Sequence, residues 1–304
     1  MKTLLQLRGI ITVLNTPFTD ADRIDVAGLR VNVLNAIDAG VAGFLAPAMA
    51  SEVDKLSMEE RETIVATIVD AVAGRVPVIG GASAPTSEAR RELGRRLIGL
   101  GCDGILVSIS FEDERQYARD LRAVADLAPP FLMVQDWDAN GPGVPVPLIA
   151  RLFEEVEAFR SLKIETVPAG VKYSAVLEAT GGRLHVSGGW AVMQMIEALD
   201  RGVHAFMPTG MHRIYTRIYS LYAGGRRDEA RALFDRLLPV LAFSNQHLDI
   251  SIHFFKRLMH GQGVYAADRV RAPIVPFDAY HERVADELID YVMQLEREIA
   301  ASHA

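Results

Sequence analysis

The ten residues GLGCDGILVS, at positions 99–108, contain the pattern that decides the fold of this chain. A stretch of helical character ends at a glycine, one or two residues follow, and a short apolar run begins. Glycine readily takes the left-handed conformation that commonly ends a helix. An apolar run without alternation indicates a strand that is covered on both faces. The same pattern recurs as DAGVAGFLAP (38–47), VAGRVPVIGG (72–81) and DRGVHAFMP (200–208).

Strands and helices are predicted to alternate along most of the chain. The predicted strands lie at residues 9–12, 43–45, 76–80, 104–107, 131–135, 161–164, 185–187 and 204–207. The predicted helices lie at residues 24–39, 58–73, 87–100, 114–126, 146–155, 174–180, 190–200 and 213–223. Ser57 and Glu60 carry the signature of a capping box at the start of the second helix. Eight such alternations predict an α/β fold, a (β/α)8 TIM barrel.

The barrel is predicted to be followed by a helical extension. Residues 1–224 are expected to form the catalytic barrel, and residues 225–304 a C-terminal helical region packed on it, with helices at 228–243, 249–261 and 278–300. The alternative architecture is an open, doubly wound sheet. Such a sheet more typically has a glycine-rich phosphate turn after its first strand, whereas the chain reads TVLNTPFT at residues 12–19. This comparison favours the barrel.

Composition narrows the functional classes. The chain has 304 residues, and its net charge of −7, without basic runs, gives no reason to expect a nucleic acid as partner. Its single cysteine, Cys102, is interpreted as buried packing and fits a reducing compartment. The N-terminal residues do not form a signal peptide pattern, and no window holds 18 uninterrupted apolar residues. We therefore expect a soluble, cytoplasmic protein without a membrane span.

Only one lysine lies at the end of a predicted strand. Lys163, in RSLKIETV (160–167), lies in a short apolar run, although most positively charged residues of this chain are arginines. Burial disfavours the ammonium form of a lysine, and a neutral amine can attack a carbonyl and form a Schiff base. An ion pair with Glu165 at the barrel mouth is the equally open alternative. Lys172, in a predicted loop, is the second and weaker candidate nucleophile.

Other catalytic chemistries have little support in the sequence. The histidines show no HExxH spacing, no CxxC pair exists, and no carboxylate cluster has the spacing of metal ligands. We expect no metal, and no cofactor other than a covalent imine through Lys163.

Five segments together resemble the dihydrodipicolinate synthase and N-acetylneuraminate lyase family. They are GIITVLNTPFTDADRID (9–25), SEVDKLSMEER (51–61), LKIET (162–166), SGG (187–189) and KRLMHGQGVYAADRVRAP (256–273). The resemblance implies a class I, Schiff-base-forming lyase on a (β/α)8 barrel with extra C-terminal helices. It implies that Lys163 forms the imine, that the substrate is pyruvate or a related 2-oxo acid, and that the chain assembles as a homo-oligomer, a tetramer or a dimer.

The motifs that distinguish members of this family are altered. The family's G-T-T-G-E stretch corresponds to AMASE (48–52), so that both threonines are lost and Glu52 is kept. The family's fifth strand usually ends in Y-N-x-P, whereas residues 134–137 read VQDW and offer no tyrosine as proton shuttle. The arginine that binds the second substrate of the synthase corresponds to Ala139. The chain is therefore interpreted as a divergent member.

We predict a Schiff-base-forming lyase, an aldolase or a dehydratase, that acts on pyruvate or a related 2-oxo acid. Lys163 is the expected nucleophile. Asp136 or Glu165 replaces the tyrosine as base, or else a water held by Ser51 or Ser187 does so. The alternatives are a genuine 4-hydroxy-tetrahydrodipicolinate synthase, which condenses pyruvate with aspartate semialdehyde, and a catalytically weak 2-oxo-acid-binding homologue. The predicted substrate-binding residues are Ala50, Ser51, Glu52, Ser187, Gly188, Trp190, Phe206, Trp137 and Phe111.

Overall fold

A computed structural model describes residue 4 and residues 7–301, with the exception of the side chains of residues 190 and 191. Across these residues, eight parallel strands form a closed barrel whose strand order follows the chain. The predicted TIM barrel is therefore confirmed. The strands are β1 (Gly9–Val13), β2 (Gly43–Ala46), β3 (Val78–Gly81), β4 (Gly104–Ser108), β5 (Leu132–Asp138), β6 (Phe159–Thr166), β7 (His185–Gly188) and β8 (Ala205–Phe206).

Helices follow the strands in the predicted order. They are α1 (Val26–Asp38), α2 (Met58–Val72), α3 (Ser87–Gly99), α4 (Glu114–Ala125), α5 (Val146–Glu155), α6 (Ala169–Ala179), α7 (Met195–Asp200), α8 (His212–Ala223), α9 (Arg227–Ser244), α10 (Leu248–Gly261) and α11 (Ala279–Ala301). Short 3-10 turns lie at Met49–Ser51, Val53–Lys55 and Trp190–Gln194. No helix of the described residues combines the length and the hydrophobicity that crossing a bilayer requires.

The local sequence signals explain where helices begin and end. The predicted capping box at α2 is formed, because Ser57 Oγ accepts a hydrogen bond from the amide of Glu60 and Glu60 Oε2 accepts one from the amide of Ser57. The recurring glycines end helices as expected: Gly40, Gly101 and Gly202 have φ of 84°, 92° and 86°. Residues other than glycine rarely adopt positive φ angles of this size.

Helix α6 differs from its prediction. It begins at Ala169, directly after Pro168, rather than at residue 174. Proline suits a helix start, because its fixed φ is compatible with the first turn and its missing N–H needs no partner there. As a result Lys172 lies within a helix and is buried, and not in the predicted loop.

The chain divides into two compact units. The first comprises residues 1–11 and 77–207 and contains β3 to β8 and α3 to α7; the second comprises residues 12–76 and 208–304 and contains α1, α2 and α8 to α11. The division predicted at residue 224 is not one of these boundaries and stays a prediction. In the second unit, α8 packs against α9 and α11, and α10 packs against the turn at Met49–Ser51.

The register of the first unit fixes which residues are neighbours. Lys163 on β6 pairs with Gln135 on β5 and with Ser187 on β7. Glu165 pairs with Trp137, and Gly188 pairs with Phe206 on β8. Because successive residues of a strand point to opposite faces, the register also determines which of these side chains share a face.

Candidate active site

Strand β6 separates its polar side chains from its apolar ones. Leu162 and Ile164 are fully buried on one face, and Lys163 and Glu165 alternate with them and therefore lie on the other. The helices cover the first face, because Tyr173 of α6 donates a hydrogen bond to the carbonyl of Ile164. Lys163 and Glu165 thus share the inner face of the sheet. Lys163 is 6% exposed and Glu165 8%.

Lys163 and Glu165 form a buried ion pair, with Nζ of the lysine 3.1 Å from Oε2 of the carboxylate. Gln135 Nε2 donates a hydrogen bond to the same oxygen, so that Oε2 has two partners. An isolated charge at such a buried position would be very costly, and the pairing offsets that cost. The arrangement places an amine and a carboxylate side by side on one strand.

Gly189 follows β7 and closes one side of this pair. A Cβ atom at this position would collide with Glu165 Oε1 and lie 3.1 Å from Lys163 Cε. The backbone of Gly189 has φ −78° and ψ −62°, which any residue adopts. The glycine is therefore required for space and not for backbone conformation. Its neighbours Ser187 and Gly188 are buried, and Ser187 Oγ donates to the carbonyl of Leu162 at 3.4 Å.

The structure corrects the expectation that Asp136 lies beside Lys163. Asp136 follows Gln135 on β5 and points to the opposite, helix-covered face, where it forms an ion pair with Lys172 of α6. Asp136 Oδ1 also accepts a hydrogen bond from the amide of Val144 at 2.9 Å. Burial raises the pKa of Asp136 above its usual range, although Lys172 opposes this effect. Asp136 is thus a structural residue behind the site.

Lys172 is corrected in the same way as a candidate nucleophile. Its side chain is 8% exposed, and its amine binds Asp136 and donates a hydrogen bond to the carbonyl of Pro142. Both partners belong to β5 or to the loop that follows it. Lys172 therefore fixes this loop to α6, and its amine is not directed toward the face that carries Lys163.

The AMASE segment, which belongs to the second unit, is held by protein groups. Ser51 Oγ donates to the carbonyl of Leu14 at 2.5 Å and accepts from the amide of Ala48 at 3.0 Å. The carbonyl of Ala50 accepts a hydrogen bond from Asn15 Nδ2 at 2.8 Å. The hydroxyl proton of Ser51 is thus already used within the protein. The predicted substrate-binding roles of Ala50 and Ser51 stay predictions.

Glu52 is corrected from a substrate-binding residue to a structural one. It is fully buried, and Oε2 forms an ion pair with the equally buried Lys256 of α10. Its other oxygen, Oε1, accepts a hydrogen bond from the amide of Arg271 at 2.8 Å. Burial is also the main reason why the pKa of Lys256 falls to about 8. Sequence reasoning assigned no role to Lys256, although a lysine within the apolar run HFFKRLM is a signal for such a pair.

The four aromatic residues that are predicted to bind substrate differ in their exposure to solvent. Trp137 and Phe111 are 50% and 40% exposed, and Phe111 contacts Tyr117 edge to face. Phe206 is fully buried on β8. The side chain of Trp190 lies outside the described residues. Substrate contacts of these four residues, and of Ser187 and Gly188, stay predictions.

Sequence reasoning missed Gln135, although the alternation of the strand contains the signal. Gln135 and Lys163 are register partners, so Gln135 shares the inner face with the lysine while Asp136 cannot. Within the described part of the chain, no group of three or more His, Cys, Asp or Glu residues is arranged to hold a metal ion.

Comparison with known proteins identifies the family. The model of the Dihydrodipicolinate synthetase family matches residues 6–291. An L-2-keto-3-deoxyarabonate dehydratase of Azospirillum brasilense is 30% identical over 277 residues, which cover 88% of each chain. A 4-hydroxy-tetrahydrodipicolinate synthase of Methanopyrus kandleri is 26% identical over 241 residues, which cover 77% of this chain and 80% of the other.

Solved structures support the same fold. YagE, a prophage protein of the dihydrodipicolinic acid synthase family from E. coli K12, was solved in complex with pyruvate; its TM-score is 0.86 at 21% identity, over 94% of this chain and 98% of that one. A putative dihydrodipicolinate synthetase from Pseudomonas aeruginosa has a TM-score of 0.84 at 24% identity, over 93% and 99% of the two chains. The family predicted from the sequence motifs is confirmed: the chain belongs to the dihydrodipicolinate synthetase family.

Proposed function

We propose that the protein is a Schiff-base-forming lyase that dehydrates a 2-oxo acid carrying a hydroxyl group on C4. The observation that carries this proposal is the buried pair on the inner face of β6, in which Lys163 Nζ lies 3.1 Å from Glu165 Oε2. An amine that can pass its proton to an adjacent carboxylate is a nucleophile toward a carbonyl group. The same carboxylate can then serve as general base.

The first half of the reaction forms the imine. Lys163 gives a proton to Glu165, and the neutral amine adds to the C2 carbonyl of the substrate. On addition, a second proton moves from the nitrogen to the carbonyl oxygen, which then takes up the proton from Glu165 and leaves as water, so that a C=N bond with one proton on nitrogen remains. This imine withdraws electrons from C3 and makes its hydrogen atoms acidic.

The second half eliminates water. The C3–H bond breaks, the proton passes to Glu165, and the electron pair forms the C2=C3 bond of an enamine while the C=N pair returns to nitrogen. The nitrogen pair then re-forms the C=N bond, and the C4 hydroxyl departs with the proton held by Glu165 as a second water. Hydrolysis of the imine by water releases the unsaturated product and restores Lys163.

The choice of a dehydratase rests on similarity and on the altered motifs. The dehydratase of Azospirillum brasilense matches a larger share of the chain at higher identity than the synthase of Methanopyrus kandleri does. The chain also has Ala139 where the synthase binds its second substrate through arginine. Dehydration needs no second carbon substrate, so that this loss is compatible with it.

Reductive trapping tests the nucleophile. Borohydride treatment in the presence of pyruvate should attach a three-carbon unit to Lys163, which peptide mass spectrometry locates. Lys163→Met should abolish the adduct. Lys55→Met is the matched control, because Lys55 is also shielded from solvent, with a side chain 9% exposed, and belongs to an ion pair with Glu52 at 3.7 Å. An adduct on another lysine, or none, overturns the proposal.

Turnover measurements test the reaction. The purified protein should dehydrate 2-keto-3-deoxyarabonate or a related C4-hydroxy 2-oxo acid, and Lys163→Met should not. Condensation of pyruvate with aspartate semialdehyde at a comparable rate would favour the synthase instead. A trapped adduct without turnover of any acid in the panel would favour a binding protein.

Two further expectations accompany the proposed function. The protein should assemble as a homo-oligomer, a dimer or a tetramer, which light scattering on the purified chain measures. A cytoplasmic location stays a prediction.

A further inference from the structure

We infer that Gln135 and Gly189 are positioning residues that hold Glu165 as the proton acceptor of the reaction, with Oε2 fixed and Oε1 free to take the proton from C3. This inference rests on the proposed function, since it concerns the step that follows imine formation.

The two oxygens of Glu165 are in different situations. Oε2 lies 3.1 Å from Lys163 Nζ and accepts the hydrogen bond from Gln135 Nε2. Oε1 accepts no hydrogen bond from the residues that the structure describes, and it lies against the backbone of Gly189. A carboxylate with one oxygen bound and the other unbound can accept a proton at the second oxygen without first breaking a hydrogen bond there.

Gln135 orients the carboxylate but cannot relay a proton. Its amide donates a hydrogen bond and has no proton that it readily loses near neutral pH. A position opposite the lysine that holds glutamine therefore cannot act as a proton shuttle. The proton from C3 must pass to a titratable group, and Glu165 is the carboxylate that shares a strand face with Lys163. The C3–H bond breaks, its proton binds Oε1, and its electrons form the C2=C3 bond.

Gly189 keeps Oε1 free by leaving room for it. A methyl group on Gly189 would collide with Oε1. Because the backbone angles of Gly189 suit any residue, an alanine can be built there without backbone strain. The expected effect of Gly189→Ala is thus a rotated Glu165 carboxylate rather than a distorted turn.

Exchange of the C3 protons of pyruvate for deuterium tests the inference without knowledge of the natural substrate. Proton NMR in D2O measures enamine formation, and borohydride trapping on the same samples measures imine formation. Glu165→Gln should slow exchange by about 10²–10⁴-fold, as expected for loss of a general base, and should still yield the adduct at Lys163. Gln135→Met should slow exchange by about 10- to 100-fold, as expected for loss of a hydrogen bond to a charged group.

The dependence on pyruvate concentration separates positioning from a merely structural effect. Gln135 bonds to Glu165, so Gln135→Met should lower the maximal exchange rate and leave the pyruvate concentration for half-maximal exchange unchanged. Gln116→Met is the matched control, because Gln116 also donates to a carboxylate, Asp120 Oδ2 at 3.1 Å, but lies on α4. This control should leave both the maximal exchange rate and its dependence on pyruvate concentration unchanged.

Gly189→Ala provides the independent arm. It should slow exchange by about tenfold or more, while Gly99→Ala, at a helical glycine with open space around it, should have no effect. A wild-type exchange rate in a folded Gln135→Met protein, or in a folded Gly189→Ala protein, overturns the inference. So does a folded Gln135→Met protein that no longer forms the adduct. If the wild-type protein itself gives no adduct at Lys163, the proposed function has failed instead.

Discussion

Asp136 and Lys172 form a buried ion pair behind the strand that carries Gln135, with side chains 1% and 8% exposed. Lys172→Met leaves the Asp136 carboxylate buried without a counter-charge, so the free energy of unfolding should fall by about 3–5 kcal/mol in urea unfolding at pH 7. Burial already raises the pKa of Asp136. The folded variant should therefore bind a proton more readily than its unfolded chain and regain stability as the pH falls.

Arg183→Met is the control for this prediction. Arg183 and Glu154 form an ion pair whose side chains are 60% and 57% exposed, and such a pair contributes less than about 1 kcal/mol. The adduct at Lys163 should persist in the folded Lys172→Met protein, because the pair lies on the other face of β5. A loss of the adduct there would contradict the placement of Asp136 away from the reaction.

The buried pair of Glu52 and Lys256 predicts a different dependence on pH. Glu52→Gln leaves the Lys256 ammonium without its partner and should lower the free energy of unfolding at pH 7 by about 3–5 kcal/mol. Desolvation already lowers the pKa of Lys256 from 10.5 to about 8. Glu52 opposes this lowering, so its removal lowers the pKa of Lys256 further, and the unfolded chain binds more protons than the folded variant up to about pH 10.5. The stability of the variant should therefore rise with pH up to that value.

Urea unfolding at several pH values between 7 and 10 checks the sign of this slope. Lys55→Met, which removes the neighbouring lysine of Glu52 and leaves Lys256 paired, should show a smaller loss of stability. A Glu52→Gln protein as stable as the wild type would mean that the pair contributes little.

His212 should make the fold sensitive to acid. Its Nε2 is 3.0 Å from Asn32 Oδ1 and its Nδ1 3.3 Å from Thr12 Oγ1, and complete burial lowers its pKa from 6.5 to about 4. The folded state holds the neutral ring, so this contribution is fully present above pH 6.5 and is lost as the pH falls toward 4. The loss should reach about 3 kcal/mol at pH 4.

The variant His212→Gln isolates this contribution. Glutamine can both donate to Asn32 and accept from Thr12, and it does not titrate. Between pH 7 and pH 4, its free energy of unfolding should fall by about 3 kcal/mol less than that of the wild type. Equal slopes for the two proteins would assign the acid sensitivity to other groups, among them His185 and His204, whose pKa values burial also lowers to about 4.

Cys102 should be unreactive in the folded protein. It is 4% exposed, and burial raises the pKa of its thiol to about 12. The thiolate is the reactive form, so a chromogenic disulfide reagent at pH 8 should modify Cys102 only on unfolding. Rapid modification of the folded chain, compared with the rate in urea, would contradict this buried position.

The fold could be predicted because its signals are local. Glycine at helix ends and continuous apolar runs are readable within ten residues, and they located the strands to within a few positions. Strand β6 nevertheless begins at Phe159, earlier than predicted, and α6 begins at Ala169. Pairing with the neighbouring strand β5 lengthens β6, and Pro168 sets the start of α6. Neither effect can be read from the hydrophobicity of the sequence alone.

The site could be predicted only in part. Lys163 stood out because a lysine in an apolar run requires a reason. Because side chains alternate along a strand, Gln135 lies on the same face of the sheet as Lys163, and Asp136 lies on the opposite face. The pairing of Glu52 with Lys256 joins residues 204 positions apart. The apolar run around Lys256 signals a buried partner, but no local pattern in one sequence identifies which residue that partner is.

The single residue between Lys163 and Glu165 has an evolutionary consequence. Two side chains that are two positions apart on a strand lie on the same face, and two that are one or three positions apart lie on opposite faces. Replacement of Ile164 by another apolar residue preserves the partnership of amine and carboxylate, whereas deleting it would send the carboxylate into the helical layer. Descendants of this chain can therefore change this strand by substitution, but an insertion or deletion of one residue at this point would separate the amine from the carboxylate.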